Sequence, residues 1–132
     1  MKAYLAVFIG GFIGTLCRYE LSQTVLSQTF PYATLIENVL GSLFLGLVTG
    51  SFMFQQKKRF VYPLIGTGFC GGFTTMSTFS KETVFLLQAG QFTSSMMYIL
   101  LSVFAGVAAA LTGLIIAQQL FHQRKQQTKG NR

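Results

Sequence analysis

The chain has 132 residues, 51% of them hydrophobic and only 10% charged, with a formal net charge of +7. A soluble domain of this length carries about 25% charged residues, so the composition excludes an ordinary soluble domain. A helix needs about 20 apolar residues to cross a bilayer, which gives room for about four spans and little else. The positive charge builds no basic surface apart from the apolar segments, and this argues against nucleic acid as a partner.

The first apolar segment covers residues 3–25 and follows Lys2. A charged residue before an apolar stretch has the form of a signal peptide. However, everything downstream is apolar too and no small-residue cleavage site precedes a soluble domain, so the segment reads as a retained first span. It carries Arg18 and Glu20 at positions where charge is costly in lipid, which marks them for function.

The second segment, 33–54, follows Pro31 in the connector 27–32. Thr34, Asn38 and Ser42 recur at i, i+4 and i+8, which sets them along one helical face. Such a stripe offers donors to something passing beside the helix, or hydrogen bonds to a neighbouring helix. Glu37 sits beside it.

The third segment, 61–87, opens on Pro63, where a missing N–H is tolerated, and holds an unusual string from Gly66 to Ser80. Glycine and threonine are poor helix formers, and their concentration in mid-span predicts a break. Backbone unpaired at that depth must be satisfied by protein, water or an ion. Freed carbonyls suit a bare cation, while freed N–H groups and hydroxyls suit an anion.

The fourth segment, 93–121, carries Tyr98 and Ser102 four residues apart, then a run of small residues from Ala105 to Gly113. His122 ends it, and residues 123–132 form a basic tail. The expected fold is all-α: an integral membrane protein with one four-helix domain over 1–122 and a break in the third helix.

Charge sets the expected topology. Lys2, Lys57, Lys58, Arg59, Arg124, Lys125, Lys129 and Arg132 fall on one side of a four-span chain, and the loops 27–32 and 88–92 hold no Lys or Arg. That bias predicts a multi-pass plasma-membrane protein with both termini cytoplasmic. Small residues pair at four-residue spacing, as in Gly10 and Gly14, Gly46 and Gly50, Gly68 and Gly72, Gly106 and Ala110. In lipid such faces allow close helix approach, within the bundle or to another subunit. Cys17 and Cys70 stand alone in apolar segments, and no nucleophile has a base beside it, so an enzyme is not expected.

Several of these residues form recognisable motifs: Gly10-Gly11-x-x-Gly14 with Arg18-Tyr19, then Thr34-Leu35-x-x-Asn38-x-x-Gly41-Ser42. Further on come Gly71-Gly72-Phe73-Thr74-Thr75-x-Ser77-Thr78-Phe79-Ser80-x-Glu82 and Tyr98-x-x-x-Ser102. Over nearly its whole length the chain resembles the Fluc (CrcB) fluoride channels. The resemblance implies an antiparallel dimer with two pores, passive fluoride efflux that protects cells from fluoride, and a sodium ion at the dimer centre. It places that sodium on the backbone carbonyls of Gly71 and Thr74. Asn38, Thr34, Ser102 and Tyr98 match polar pore-side positions, Ser77, Thr78 and Ser80 match a hydroxyl track, and Arg18 matches an arginine near an aqueous vestibule. Phe79 matches one of two pore phenylalanines, whose ring edges carry partial positive charge.

Two positions depart from that pattern. Met76 stands where the family has its other phenylalanine, and Glu37 where it has an apolar residue. A carboxylate beside an anion path repels fluoride strongly at low dielectric; the sequence leaves open whether Glu37 is protonated, turned away or paired with a cation. The strong Lys/Arg bias fixes one orientation, so an antiparallel dimer calls for a related chain of opposite orientation rather than a second copy. Two other readings compete. A structural subunit without a working pore of its own accounts for Met76 and Glu37. A proton-coupled exporter of the small multidrug type needs a carboxylate deep in its first helix, whereas Glu20 lies towards the far end and the chain has no tryptophan.

Overall fold

The computed structural model describes residues 1–25, 29–53 and 60–130, with side chains up to Gln123. Lys57, Lys58 and Arg59, and the side chains of the basic tail, lie outside the described residues. The described chain is all-helical: α1 (Lys2–Thr24), α2 (Tyr32–Met53), a π-helix (Tyr62–Cys70) continuing into α3 (Gly71–Phe73), α4 (Met76–Gln88) and α5 (Phe92–Gly130). Among the described residues, α1, α2 and α5 up to Gln123 are long and apolar enough to cross a membrane. The third apolar segment of the sequence is divided between the π-helix, α3 and α4, each too short to do so alone.

Local chemistry explains the joints. Pro63 falls in the first turn of the π-helix, where its missing N–H costs no hydrogen bond. Between α4 and α5 the chain reverses at Gly90, whose φ of 73° is a left-handed conformation open to glycine. Gln91 N donates to the Leu86 carbonyl at 2.9 Å and Gly90 N to that of Leu87 at 3.0 Å, which closes α4 in a Schellman arrangement.

Burial is inverted relative to a soluble protein. The fully buried side chains include Tyr98, Glu37, Cys70 and Ser95, whereas Phe8, Phe12, Phe104, Val107 and Leu111 lie exposed. Large apolar faces of this extent suit lipid or another subunit rather than water.

Two seams of close backbone contact hold the elements together. Along the first, a methyl on Gly10 would overlap the Leu64 carbonyl, one on Gly14 the Phe69 carbonyl, and one on Gly72 the Gly11 carbonyl. Along the second, a methyl on Gly46 would overlap the Ala110 carbonyl and one on Gly113 the Leu43 carbonyl, and a methyl on Gly50 would stand 2.7 Å from Ala117 Cβ. From Gly10 on Leu64 to Gly14 on Phe69, and from Gly46 on Ala110 to Gly50 on Ala117, the numbers rise together, so α1 runs parallel to the π-helix and α2 parallel to α5. The small-residue pairs Gly10 and Gly14, Gly46 and Gly50, and Gly68 and Gly72 are thus used within the chain.

Candidate functional site

The site is built around the interruption between α3 and α4. Thr74 (φ −83°, ψ 156°) and Thr75 (φ −145°, ψ 124°) are extended, so the helical hydrogen-bond ladder stops there and leaves carbonyls and N–H groups without helical partners. Side chains from α1 and α2, and those of the two threonines themselves, answer for them. Asn38 of α2 clasps Thr75: its Oδ1 accepts from Thr75 N at 2.8 Å, and its Nδ2 donates to the Thr75 carbonyl at 3.0 Å. Arg18 Nε and Thr15 Oγ1 of α1 donate to the Gly72 carbonyl at 3.2 and 3.4 Å. Thr74 returns both its N–H and its hydroxyl to the Cys70 carbonyl, each at 2.9 Å. Thr75 Oγ1 caps α4 by accepting from Thr78 N at 3.2 Å. Among the described residues, no hydrogen bond ends on the carbonyls of Gly71 or Thr74.

Two hollows flank this interruption. A cavity of about 480 Å³ lies against Asn38, Ser42, Cys70, Gly71, Thr74, Thr75 and Met76. A second, of about 320 Å³, lies against Arg18, Phe30, Thr34, Glu37, Thr78 and Glu82. The link between them is a hydroxyl pair: Thr75 Oγ1, on the first, donates to Thr78 Oγ1, on the second, at 3.0 Å.

Glu82 is the hub of the second hollow. Its Oε1 accepts from Thr34 Oγ1 at 3.0 Å and its Oε2 from Tyr98 OH at 2.7 Å, tying α2, α4 and α5 together. Tyr98 is fully buried, with the Phe79 ring 5.0 Å away and the Phe30 ring edge-on at 5.6 Å. Glu37 is only 1% exposed and its Oε1 has no hydrogen-bond partner.

These bonds sort the candidate anion donors. Thr34, Tyr98 and Ser80 spend their hydroxyl protons, on Glu82 and on the Met76 carbonyl. An amide nitrogen has two donors and a hydroxyl one, so Asn38 retains one N–H and Thr78 keeps its proton. Ser102 Oγ is buried with no partner. The parallel register of α2 and α5, which matches Gly46 with Ala110 and Ser42 with Gly106, puts Ser102 level with Asn38.

Comparison with known proteins gives these motifs a family. Residues 5–114 match the family described as "CrcB-like protein, Camphor Resistance (CrcB)". The chain belongs to this CrcB-like family. Within it, the "Fluoride-specific ion channel FluC 2" of Bacillus subtilis (strain 168) is 49% identical, over 95% of this chain and 96% of its own length. A protein of the same name from Bacillus licheniformis is also 49% identical, over 91% of this chain and 90% of its own length. That of Halalkalibacterium halodurans is 40% identical, over 99% and 97%.

Set against the CrcB-like motifs quoted from the sequence, the structure brings Arg18, Thr34, Glu37, Asn38, Thr78, Phe79 and Tyr98 around the interruption. Ser77 is exposed and its Oγ lies 3.3 Å from Thr75 Oγ1; Ser80 is exposed as well. Met76 is 72% exposed on the rim of the larger hollow. Reading the sequence missed Glu82 as a site residue. Its signal was available, since a carboxylate within an apolar segment marks a functional position. Thr15 offered no such signal, because a hydroxyl on an apolar helix carries no mark of its partner, here the Gly72 carbonyl.

Proposed function

We propose that the chain is a subunit of a fluoride-selective channel that lets fluoride leave the cell passively and so protects it from fluoride toxicity. The observation that carries this reading is near-full-length identity of up to 49% to proteins named fluoride-specific ion channels. The site chemistry supports it. Fluoride is small and strongly hydrated, so a pore must replace its water with close donors. Asn38, Thr78 and Ser102 hold unspent donors around the interruption, and Phe79 and Tyr98 offer ring edges. Arg18, on the smaller hollow, raises the local anion concentration.

In this reading the π-helix, α3 and α4 form one interrupted span, which makes four. The parallel pairing of α1 with the π-helix and α2 with α5 supports it, because each connecting segment must then recross. Lys2 and the basic loop and tail fall at one end, which we assign to the cytoplasm. We further propose an antiparallel dimer within the lipid, in which the carbonyls of Gly71 and Thr74 hold a sodium ion at the centre. Among the described residues those carbonyls accept no hydrogen bond, and Gly71 has open space about it. The ion would supply fixed positive charge between the subunits. Because the Lys/Arg bias favours one orientation, the partner is a homologous chain inserted the other way rather than a second copy.

The test is fluoride efflux from liposomes holding the purified chain, read with a fluoride electrode and with chloride as control. Fluoride-selective efflux from this chain alone supports the channel and overturns the need for a partner. Silence from well-folded protein, relieved by adding the homologue, supports the paired channel; silence in both cases overturns the channel reading. Met76→Phe with Glu37→Val should raise efflux if the two departures weaken the pore, whereas an unchanged rate would show that they are harmless.

A further inference from the structure

Sequence alone left Glu37 protonated, turned away or paired with a cation. The fold removes the second state, since Glu37 is 1% exposed and lines the smaller hollow with Arg18, Thr34, Thr78 and Glu82. It also argues against the third. Arg18 faces Glu37 from α1, but its Nε goes to the Gly72 carbonyl at 3.2 Å. Among the described residues nothing donates to Glu37 Oε1, and that oxygen is closed to solvent. A hydrated cation in the hollow cannot ligate an oxygen that water does not touch.

The charges around the hollow point the same way. Glu82 faces Glu37 from α4, and Tyr98 faces it from α5. Residues of α3 carry no titratable side chain, Tyr62 and Cys70 of the π-helix lie on the larger hollow, and Glu20 and Lys81 are exposed and outside the lining. Both oxygens of Glu82 accept, from Thr34 Oγ1 and from Tyr98 OH, which is the pattern of a carboxylate. Arg18 then balances one of two facing carboxylates, and one positive charge is missing. A buried charge without a partner is costly. A proton on Glu37 removes that charge and needs no space of its own.

We propose that Glu37 is a proton-binding site that couples anion flux through this subunit to the acidity of the water in the smaller hollow. The coupling to flux rests on the channel reading; the binding of the proton does not. Ionised, Glu37 offsets Arg18 and opposes the entry of an anion across a medium of low dielectric. Acidification passes a proton from water in the hollow to the carboxylate, which becomes a neutral carboxyl, and the proton returns by the same way; no other group changes charge. Pro31 and Tyr32, where α2 begins, also line the hollow, and Glu37 lies about 7.5 Å further along the axis. The proton therefore arrives from the end opposite the basic loop, and acid raises the flux.

The test is fluoride efflux from liposomes holding this chain, with its homologue where flux requires one, corrected for protein-free liposomes and read from alkaline to acidic buffer. The wild-type rate should rise severalfold on acidification. Glu37→Gln, neutral throughout and of equal size, should hold the high rate at every pH. An unaltered pH profile in Glu37→Gln, or a low rate at every pH, overturns the proposal. Infrared difference spectroscopy of the protein in lipid reads the proton without flux. Acidification should bring up a protonated-carboxyl C=O band that shifts in D2O, and Glu37→Gln should lose it. Absence of the band from the wild type, or its persistence in the variant, also overturns the proposal. Efflux silence with and without the homologue would sink the channel reading, while the band still decides whether Glu37 binds a proton.

Discussion

The two glycine seams and the interruption at Thr74 and Thr75 solve the same problem in opposite ways. In the seams the helices satisfy their own backbone groups, and the fold needs only that nothing protrude between them. At the interruption the backbone is unsatisfied, and side chains from α1 and α2 must reach in. A seam therefore depends on what its residues lack, and the interruption on what its residues carry. Lipid sharpens both demands, since it offers neither a hydrophobic driving force between helices nor water for a stray N–H.

Substitutions can break this contrast in graded fashion. The largest effect is expected at a seam. Gly46→Val or Gly10→Val drives a side chain into a facing backbone carbonyl that cannot yield, at or beyond the upper end of the roughly 1–3 kcal/mol typical of overpacking, and should abolish a monodisperse peak in size-exclusion chromatography. Next comes Asn38→Leu, which orphans the N–H and carbonyl of Thr75 for about 2–6 kcal/mol together. It should lower resistance to denaturing detergent and abolish fluoride efflux. Thr75→Ala removes the cap of α4, about 1 kcal/mol, together with the hydroxyl link to Thr78, and should leave the chain folded with a lower unfolding midpoint. The smallest effect is expected at Gly71, where an added methyl meets nothing within 4 Å. Gly71→Ala should change subunit stability by less than about 0.5 kcal/mol. A loss of efflux in that variant would thus report on assembly or on the proposed cation, not on folding.

How far the sequence reached can be judged residue by residue. Thr34, Asn38 and Ser42 were readable as one polar face, because helical spacing is a local property. Their partners were not readable. Asn38 spends most of its amide on the backbone of Thr75, and Thr34 donates to Glu82, 48 residues away. The position of Glu37 beside the stripe was plain, whereas its burial against Arg18, Thr34 and Glu82 depends on how α2 is rotated against α1 and α4. Met76 was marked as unusual by resemblance, but its place on an exposed rim came only from the course of the chain after Thr75.

By itself the sequence determined that the chain is helical and apolar, that its basic residues segregate, and that a glycine and threonine string weakens the third segment. Those are consequences of composition and short-range spacing, and lipid enforces them on any chain of this make-up. The tertiary structure alone decided which carbonyl each glycine faces and that α2 and α5 run in parallel register. It likewise decided that Glu82 binds two helices. Each of these depends on contacts between residues far apart in sequence, where helix rotation and axial shift set the partner and no local pattern records either.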